Sequence, residues 1–166
     1  MKFSLSLVLF TLFLTGCAYQ LGNIPGKEVE GISSINVPVV RNETYEPGIS
    51  VMVTDAIIQR FHSDGTMSVT REANADATLE VKLTRFERSP LRSVRNDTRT
   101  VAEYRVFLLA EVVLRKNDGT VLIKEKVAGD TEFFIGNDLQ EGERQAMGLV
   151  ADELANNIVL RVTEGW

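Results

Sequence analysis

The strongest constraint on the fold is a long alternating segment over residues 100–115. Every second residue there is apolar, as expected for a β-strand whose side chains point alternately to two faces. The apolar series consists of Ala102, Tyr104, Val106, Leu108, Ala110, Val112 and Leu114. The opposite face is mixed, with Phe107, Leu109 and Val113 among charged residues. A chain with such a strand needs partner strands and a second layer that covers the apolar face.

Partner strands are predicted on both sides of this segment. Residues 77–84 alternate apolar and polar side chains. The sequence Asn-Asp-Gly at 117–119 is typical of a tight hairpin turn, and a return strand follows from Val121. Earlier in the chain, residues 35–39 alternate as well. Pro38 lacks an N–H, which favours either an edge position or a ladder that ends there.

Two segments have helical periodicity. In the first, Val53, Ile57 and Phe61 lie on one face, and the pattern ends near Gly65. The second runs from about residue 140 to 162, and its apolar face is built from Met147, Val150, Leu154 and Ile158. The predicted fold is therefore α+β, a two-layer sandwich with two helices packed on one face of a mostly antiparallel four- to five-stranded sheet.

Composition excludes several classes of function. The chain has 18 basic and 23 acidic residues, a net charge of −5, which argues against nucleic-acid binding because that affinity comes mostly from cations. It has one Cys and one His, so neither a disulfide framework nor a Cys/His metal site can be built. No cofactor is predicted.

Catalytic chemistry is not indicated either. His62 is the sole imidazole, and no nucleophile or orienting carboxylate is placed to work with it. The carboxylates are scattered singly at positions that alternation already assigns to solvent. We therefore predict no catalytic residue and no enzyme. A lipid-anchored hydrolase stays as an alternative that would require an activity lost on changing His62 or a carboxylate.

The N-terminus carries a targeting signal. Residues 1–16 combine a basic start, an apolar run over Leu5–Leu14 and small residues, which is typical of a secretory signal peptide. The apolar run is shorter than the roughly 20 residues a spanning helix needs. It ends in Leu-Thr-Gly-Cys at 14–17, which resembles the lipobox of bacterial lipoproteins. That resemblance implies that Cys17 becomes the acylated N-terminus, and several acyl chains give stable membrane attachment.

The predicted organisation follows from this boundary. Residues 1–16 are a signal peptide, 17–31 a lipidated tether and 32–166 a single domain. Ala18, at the place where Asp retains enterobacterial lipoproteins in the inner membrane, favours the outer membrane.

One segment departs from the acidic average. Between residues 82 and 99 there are six cations and two acids, a net charge of +4. The cations are Lys82, Arg85, Arg88, Arg92, Arg95 and Arg99. With Pro90 and several Ser and Asn residues, much of this segment is predicted to form a loop. It is either a solvated hairpin loop or an anion site, since Arg pairs bidentately with phosphate. Lipid phosphate is the available anion for an exported, lipid-anchored protein.

These residues carry a resemblance to a known family. The lipobox is followed by an aromatic residue in Cys17-Ala18-Tyr19, and a basic, Asn-containing stretch over 94–101 runs into an Ala-Glu-Tyr strand at 102–104. In both respects the chain resembles the LptE lipoproteins of lipopolysaccharide assembly. The resemblance extends over 17–162, mostly in the order of elements.

The resemblance implies a non-catalytic partner of the outer-membrane β-barrel translocon LptD. Such a lipoprotein plugs the barrel, helps its assembly and contacts lipopolysaccharide on its way to the cell surface, anchored on the periplasmic side of the outer membrane. The matching lipopolysaccharide-binding position is Arg95, with Arg92 and Arg99 as neighbours. The family's basic residue ahead of the last helix is missing, because 137–141 contain no cation and the next is Arg144.

An alternative function remains open at this point. The chain could be a lipoprotein that binds peptidoglycan or regulates its synthesis, which would co-purify with a murein synthase instead of a barrel.

The role of the apolar residues on the mixed face of the long strand is also open. They are Phe107, Leu109 and Val113. They could dock a barrel wall or acyl chains, or be covered by a loop or by side chains of neighbouring strands.

Overall fold

The computed structural model describes residues 29–94, 97–134 and 139–164. In this part of the chain there are six strands and two α-helices, with a short 3-10 turn at Glu72–Asn74. In chain order the elements are β1 (Ser34–Asn36), β2 (Arg41–Asn42), α1 (Ile49–Asp64), β3 (Ser68–Val69), β4 (Ala77–Val94), β5 (Asp97–Lys116), β6 (Val121–Phe134) and α2 (Leu139–Glu164). Residues 1–28, which include the predicted signal peptide and Cys17, lie outside the described residues.

The strands form one mixed sheet. Its order is β3-β1-β4-β5-β6, and β2 also pairs with β4. The three long strands β4, β5 and β6 are antiparallel, while the short strands β1, β2 and β3 pair in parallel. The α+β two-layer fold is confirmed. The sheet has six strands, one more than predicted, because two short strands, β1 and β2, lie on either side of Pro38 where the sequence predicts one strand over 35–39.

Pro38 explains the division of that strand. β1 pairs with the start of β4 and β2 with its middle, and Pro38 lies between them. A proline offers no N–H for the ladder. Two residues later, the N–H of Val40 donates to Oγ1 of Thr54 in α1 at 3.0 Å. The Thr54 hydroxyl in turn donates to the carbonyl of Ser50 at 2.6 Å. A side chain of α1 thus provides the hydrogen-bond acceptor for a backbone N–H between β1 and β2.

The core lies between the apolar face of the sheet and the two helices. The described members of the predicted apolar series are buried from Val106 to Leu114, with Tyr104 half-buried. Val53, Ile57 and Phe61 of α1 are fully buried, as the helical spacing predicts. The four apolar positions predicted for α2 are also buried: Met147, Val150, Leu154 and Ile158.

Helix α2 crosses β6 at very short range. A Cβ added at Gly129 would lie 2.6 Å from the backbone nitrogen of Leu154, closer than any side chain tolerates. Beside this crossing, the amide of Asn157 donates to the carbonyl of Ala128 at 2.9 Å. The absence of a side chain at Gly129 therefore sets how closely the helix can pack on the edge strand.

At the start of β4, one carboxylate joins two strands. Oδ2 of Asp76 accepts hydrogen bonds from the backbone N–H of Ser33 at 3.0 Å and of Ser34 at 2.9 Å. Both serine hydroxyls donate to the same oxygen, at 3.0 and 2.8 Å. These hydrogen bonds, above all that from the Ser34 hydroxyl, lower the pKa of Asp76 to about 2. The entry to β1 is thereby tied to the beginning of β4.

Candidate functional site

The basic segment forms strands, so the prediction of an extended loop is wrong. β4 continues to Val94 and β5 begins at Asp97, which leaves only two residues between them. Pro90 stands opposite Tyr104 in the pairing. Pro is tolerated there because β4 has no partner on its other side beyond Leu83, among the described residues, and an edge position does not need the N–H.

We call residues 85–94 of β4 and 97–109 of β5 the distal hairpin. It begins at a bulge, where the pairing skips Thr84 between Leu83 and Arg85. Before the bulge, alternate residues of β4 are buried, whereas residues 87–91 beyond it are exposed on both faces. A bulge bends its strand and increases the local twist. Just past the bulge Phe86 still packs against the core, and from Glu87 to Leu91 the strand is exposed.

Two cations of the distal hairpin are bound to the rest of the fold. Arg88 forms an ion pair with Glu143 in the first turns of α2. Arg105 contacts Glu132 at 2.7 Å and Asp130 at 3.6 Å, both on β6. The hydrogen bond from Arg105 to Glu132 raises the pKa of the guanidinium. These two arginines hold the hairpin against its neighbours.

The base of the distal hairpin is also held by aromatic packing. The rings of Tyr104 and Phe133 stack across β5 and β6 with centroids 5.7 Å apart. A Cβ at Gly142 would lie 3.2 Å from the Phe133 ring, so α2 begins in close contact with this pair. Glu103, the acid of the Ala-Glu-Tyr motif, is buried and stands opposite Arg92 in the pairing.

The predicted lipopolysaccharide-binding positions lie at the end of this hairpin. Arg92 is in β4 and Arg99 in β5, so the backbone brings both to the part that extends past the end of β6. Arg95, between the two strands in the sequence, lies outside the described residues. Arg144, the first cation after 137–141, lies inside α2, where it is exposed and pairs with Glu141.

The outer face of the sheet is mixed, as predicted. Phe107, Leu109 and Val113 are half-buried there. In the pairing Phe107 lies between Glu87 and Asp130, so side chains of the neighbouring strands flank it.

Ion pairs cross the same face of the sheet. Lys82 contacts Glu111 at 3.0 Å and Glu43 at 3.4 Å. The hydrogen bond between Lys82 and Glu111 raises the pKa of the lysine and lowers that of the glutamate. These charges surround an open trough of about 390 Å³ beside Val39 and Val113.

Other kinds of site are not found in the described part of the chain. Residues 29–94, 97–134 and 139–164 contain no cluster of His, Cys, Asp or Glu suited to a metal ion. Over the same residues, neither helix is long and apolar enough to span a bilayer. His62 is exposed near the end of α1.

Comparison with known proteins identifies the family. Residues 32–162 match the family model of LptE, described as lipopolysaccharide-assembly. This chain belongs to the LptE family. The family is non-enzymatic, and membership places the protein in lipopolysaccharide assembly. A comparison with curated protein sequences finds no significant match.

Solved structures share the fold at low sequence identity. The protein CT253 of Chlamydia trachomatis is 12% identical, with a TM-score of 0.57 over 81% of this chain and 97% of the other. A minor lipoprotein of Acinetobacter baumannii is 9% identical, with a TM-score of 0.53 over 79% and 90%. The protein XCC0632 of Xanthomonas campestris is 14% identical, with a TM-score of 0.52 over 83% and 86%. The LptE-type architecture therefore persists where little of the sequence does.

Proposed function

We propose that this LptE-family protein is an outer-membrane lipoprotein, attached through Cys17 on the periplasmic side, that plugs an LptD-type barrel. It helps that barrel to assemble and contacts lipopolysaccharide during transport to the surface. The observation that carries the proposal is the basic distal hairpin, on a domain that matches the LptE family over residues 32–162.

The chemistry of the described surface supports a plug. The lumen of an outer-membrane barrel is polar, whereas its lipid-facing exterior is apolar. The sheet's outer face presents ion pairs such as Lys82–Glu111 and Arg105–Glu132, and α2 carries charges along its exposed side. A surface of this kind suits a water-filled lumen and is unsuited to lipid tails.

The charge of the distal hairpin supports a phosphate-bearing ligand. Residues 85–109 contain six cations and three acids in a chain whose net charge is −5. Arg88 and Arg105 are engaged with carboxylates of α2 and β6. We assign the glycolipid contact to Arg92, Arg95 and Arg99, the positions that the resemblance to LptE indicates.

The glycolipid contact is tested with Arg95→Asp and a matched control, Arg71→Asp, an exposed arginine beside β3 at the far end of the sheet. A charge-assisted hydrogen bond contributes about 1.5–3 kcal/mol, so binding of labelled lipopolysaccharide should weaken about tenfold or more in the first variant. It should be unchanged in the second. Equal binding by two folded variants would contradict the assignment of this position.

The barrel contact is tested by purification from outer membranes of cells that express the chain with its own organism's LptD. The wild-type chain should recover the barrel in a one-to-one ratio. Replacing Cys17 by Ala should abolish labelling by radioactive palmitate, because the variant has no thiol to acylate. Recovery of a murein synthase without a barrel would favour the peptidoglycan alternative and contradict the plug.

A further inference from the structure

Exposed apolar side chains gather on the helical layer. Val51 and Met52 in the first turn of α1 are 57% and 42% exposed, and Leu149 of α2 is 55% exposed. Tyr45, just before α1, is fully exposed. Large apolar groups in full contact with water are costly, and a cluster of them on one surface marks an interaction site more often than scattered ones do.

The turn that displays Tyr45 is braced by its own hydrogen bonds. The amide of Asn42 donates to the carbonyl of Glu46 at 2.8 Å. Its oxygen accepts from the N–H and hydroxyl of Thr44, at 2.9 and 2.7 Å. Tyr45 itself lines a separate recess with Arg85 and Arg88 of β4, whereas its neighbours Glu46 and Pro47 lie beside α1 and α2.

A groove between α1 and α2 continues from this turn. Its upper recess, about 250 Å³, lies between Met52 of α1 and Met147 of α2. Its lower recess, about 410 Å³, lies between Ala56 and Arg60 of α1 and Leu149 of α2. The groove thus offers apolar contacts along two adjacent helices. We call these two recesses, with Met52, Met147 and Leu149 on their walls, the helical groove.

Acidic residues surround the apolar positions of the helical groove. Asp55 follows Val51 and Met52 by four and three residues, which places it beside both on the helix surface. Asp152 and Glu153 stand in the same relation to Leu149 and line the lower recess. The two helices together carry seven acids, two in α1 and five in α2, against one and two arginines. Anionic lipid is therefore repelled here, and a partner with cations around an apolar centre is attracted.

Arg60 supplies one further feature of the lower recess. Its Nε is buried and has no hydrogen-bond acceptor among the described residues. An unsatisfied buried donor costs about 1–3 kcal/mol. A backbone carbonyl of a bound protein would remove that cost once the side chain turns towards it.

We propose that the helical groove is a protein-docking surface, occupied by a segment of the barrel partner's inner wall that carries apolar side chains flanked by Lys or Arg. The inference rests on the proposed function and adds which face meets protein. The two charged regions then have different ligands: the basic distal hairpin binds the anionic glycolipid, and the acidic helical groove binds a segment of the barrel wall.

Site-specific photocrosslinking tests this assignment in the full chain expressed with its barrel. A photoreactive phenylalanine analogue replaces Leu149 or Met52 in separate chains. Two exposed apolar controls lie elsewhere: Val121, 43% exposed at the start of β6, and Val39, 73% exposed at the sheet edge. The expected result is a crosslinked barrel from Leu149 and Met52 and none from Val121.

Charge reversal gives a second measurement. Asp152→Lys with Glu153→Lys should lower the amount of barrel recovered about tenfold at physiological salt, with a smaller loss at higher salt because screening weakens the repulsion. The matched control reverses two exposed acids at the far end of the domain, Glu30→Lys with Glu72→Lys, and should recover the barrel normally.

The outcomes separate the two proposals. If the wild-type chain recovers the barrel but the barrel crosslinks from Val39 and not from Leu149, the sheet is the docking face and this inference is overturned while the plug stands. Crosslinking of Leu149 to lipid alone overturns the inference in the same way. If the wild-type chain recovers no barrel, the proposed function fails, and the inference fails with it.

Discussion

The two halves of β4 differ although they belong to one continuous strand. From Ala77 to Leu83 the strand has neighbours on both sides, and alternate side chains enter the core. Beyond the Thr84 bulge β5 is its only partner among the described residues, and residues 87–91 are exposed. The first half contributes to the core, and the second carries charge. One continuous strand thus joins a buried half to the half in which we propose the glycolipid contact.

The largest expected effect comes from making one substitution in each half. Leu83→Ala removes a fully buried side chain and should lower the free energy of unfolding by about 2–5 kcal/mol. Leu91→Ala changes an exposed side chain and should stay within about 0.5 kcal/mol. Urea denaturation followed by circular dichroism measures both. Similar losses in the two variants would break the comparison.

A second pair of substitutions tests how tightly the core half is packed. Gly129→Ala places a methyl group against the Leu154 backbone and should cost about 1–3 kcal/mol of unfolding free energy. Gly148→Ala, in α2 with nothing within 4 Å of its added Cβ, should stabilise by up to about 1 kcal/mol. Thermal melts of the two variants should therefore shift in opposite directions. A shift of both in one direction would contradict the close crossing of α2 over β6.

Acid should lower the stability of the domain through Asp76, the residue just before the core half of β4. The folded pKa of about 2 lies below the ordinary value of 3.8, so the unfolded chain binds the proton more readily. The stabilisation from this carboxylate is complete above the ordinary value and is lost as the pH falls towards 2. Asp76→Asn should lower the melting temperature at neutral pH and flatten its dependence between pH 4 and about 2. An unchanged acid dependence would show that the hydrogen bonds from Ser33 and Ser34 do not act on stability.

The smallest effect is expected in the distal half. Arg88 and Glu143 form a partly exposed ion pair, and such pairs contribute about 1 kcal/mol or less. A double-mutant cycle with Arg88→Met and Glu143→Gln measures the coupling energy directly. A coupling energy above about 2 kcal/mol would mean that the distal hairpin contributes substantially to the stability of the domain, and would contradict the difference between the two halves of β4.

Much of the fold could be predicted because burial repeats with a fixed period. The alternation around Leu108 and the helical spacing around Ile57 locate the long strands and α1 correctly. Pro38 itself indicates that the ladder can end there, but the partner of the Val40 N–H could not be predicted, since it is a side chain 14 residues away. The sequence predicts a loop over much of residues 82–99 for a related reason: residues 87–91 pair with β5 alone among the described residues, are exposed on both faces and show no alternation.

The candidate site was located by charge and its geometry was missed. Six cations in eighteen residues identified the segment that contains Arg92 and Arg99, but not that its backbone runs in paired strands. The helical groove was missed entirely. Leu149 is a single apolar residue off the buried face of α2, and only the packing of α1 beside α2 forms the recess that it lines.

The hydroxyl of Thr54 connects the stability of α1 to that of the sheet edge. It accepts the Val40 N–H while donating to Ser50 of its own helix. When α1 unfolds locally, the amide of Val40 loses its acceptor. The backbone amide protons of α1 and of the segment around Val40 should therefore exchange with solvent together, as one cooperative unit.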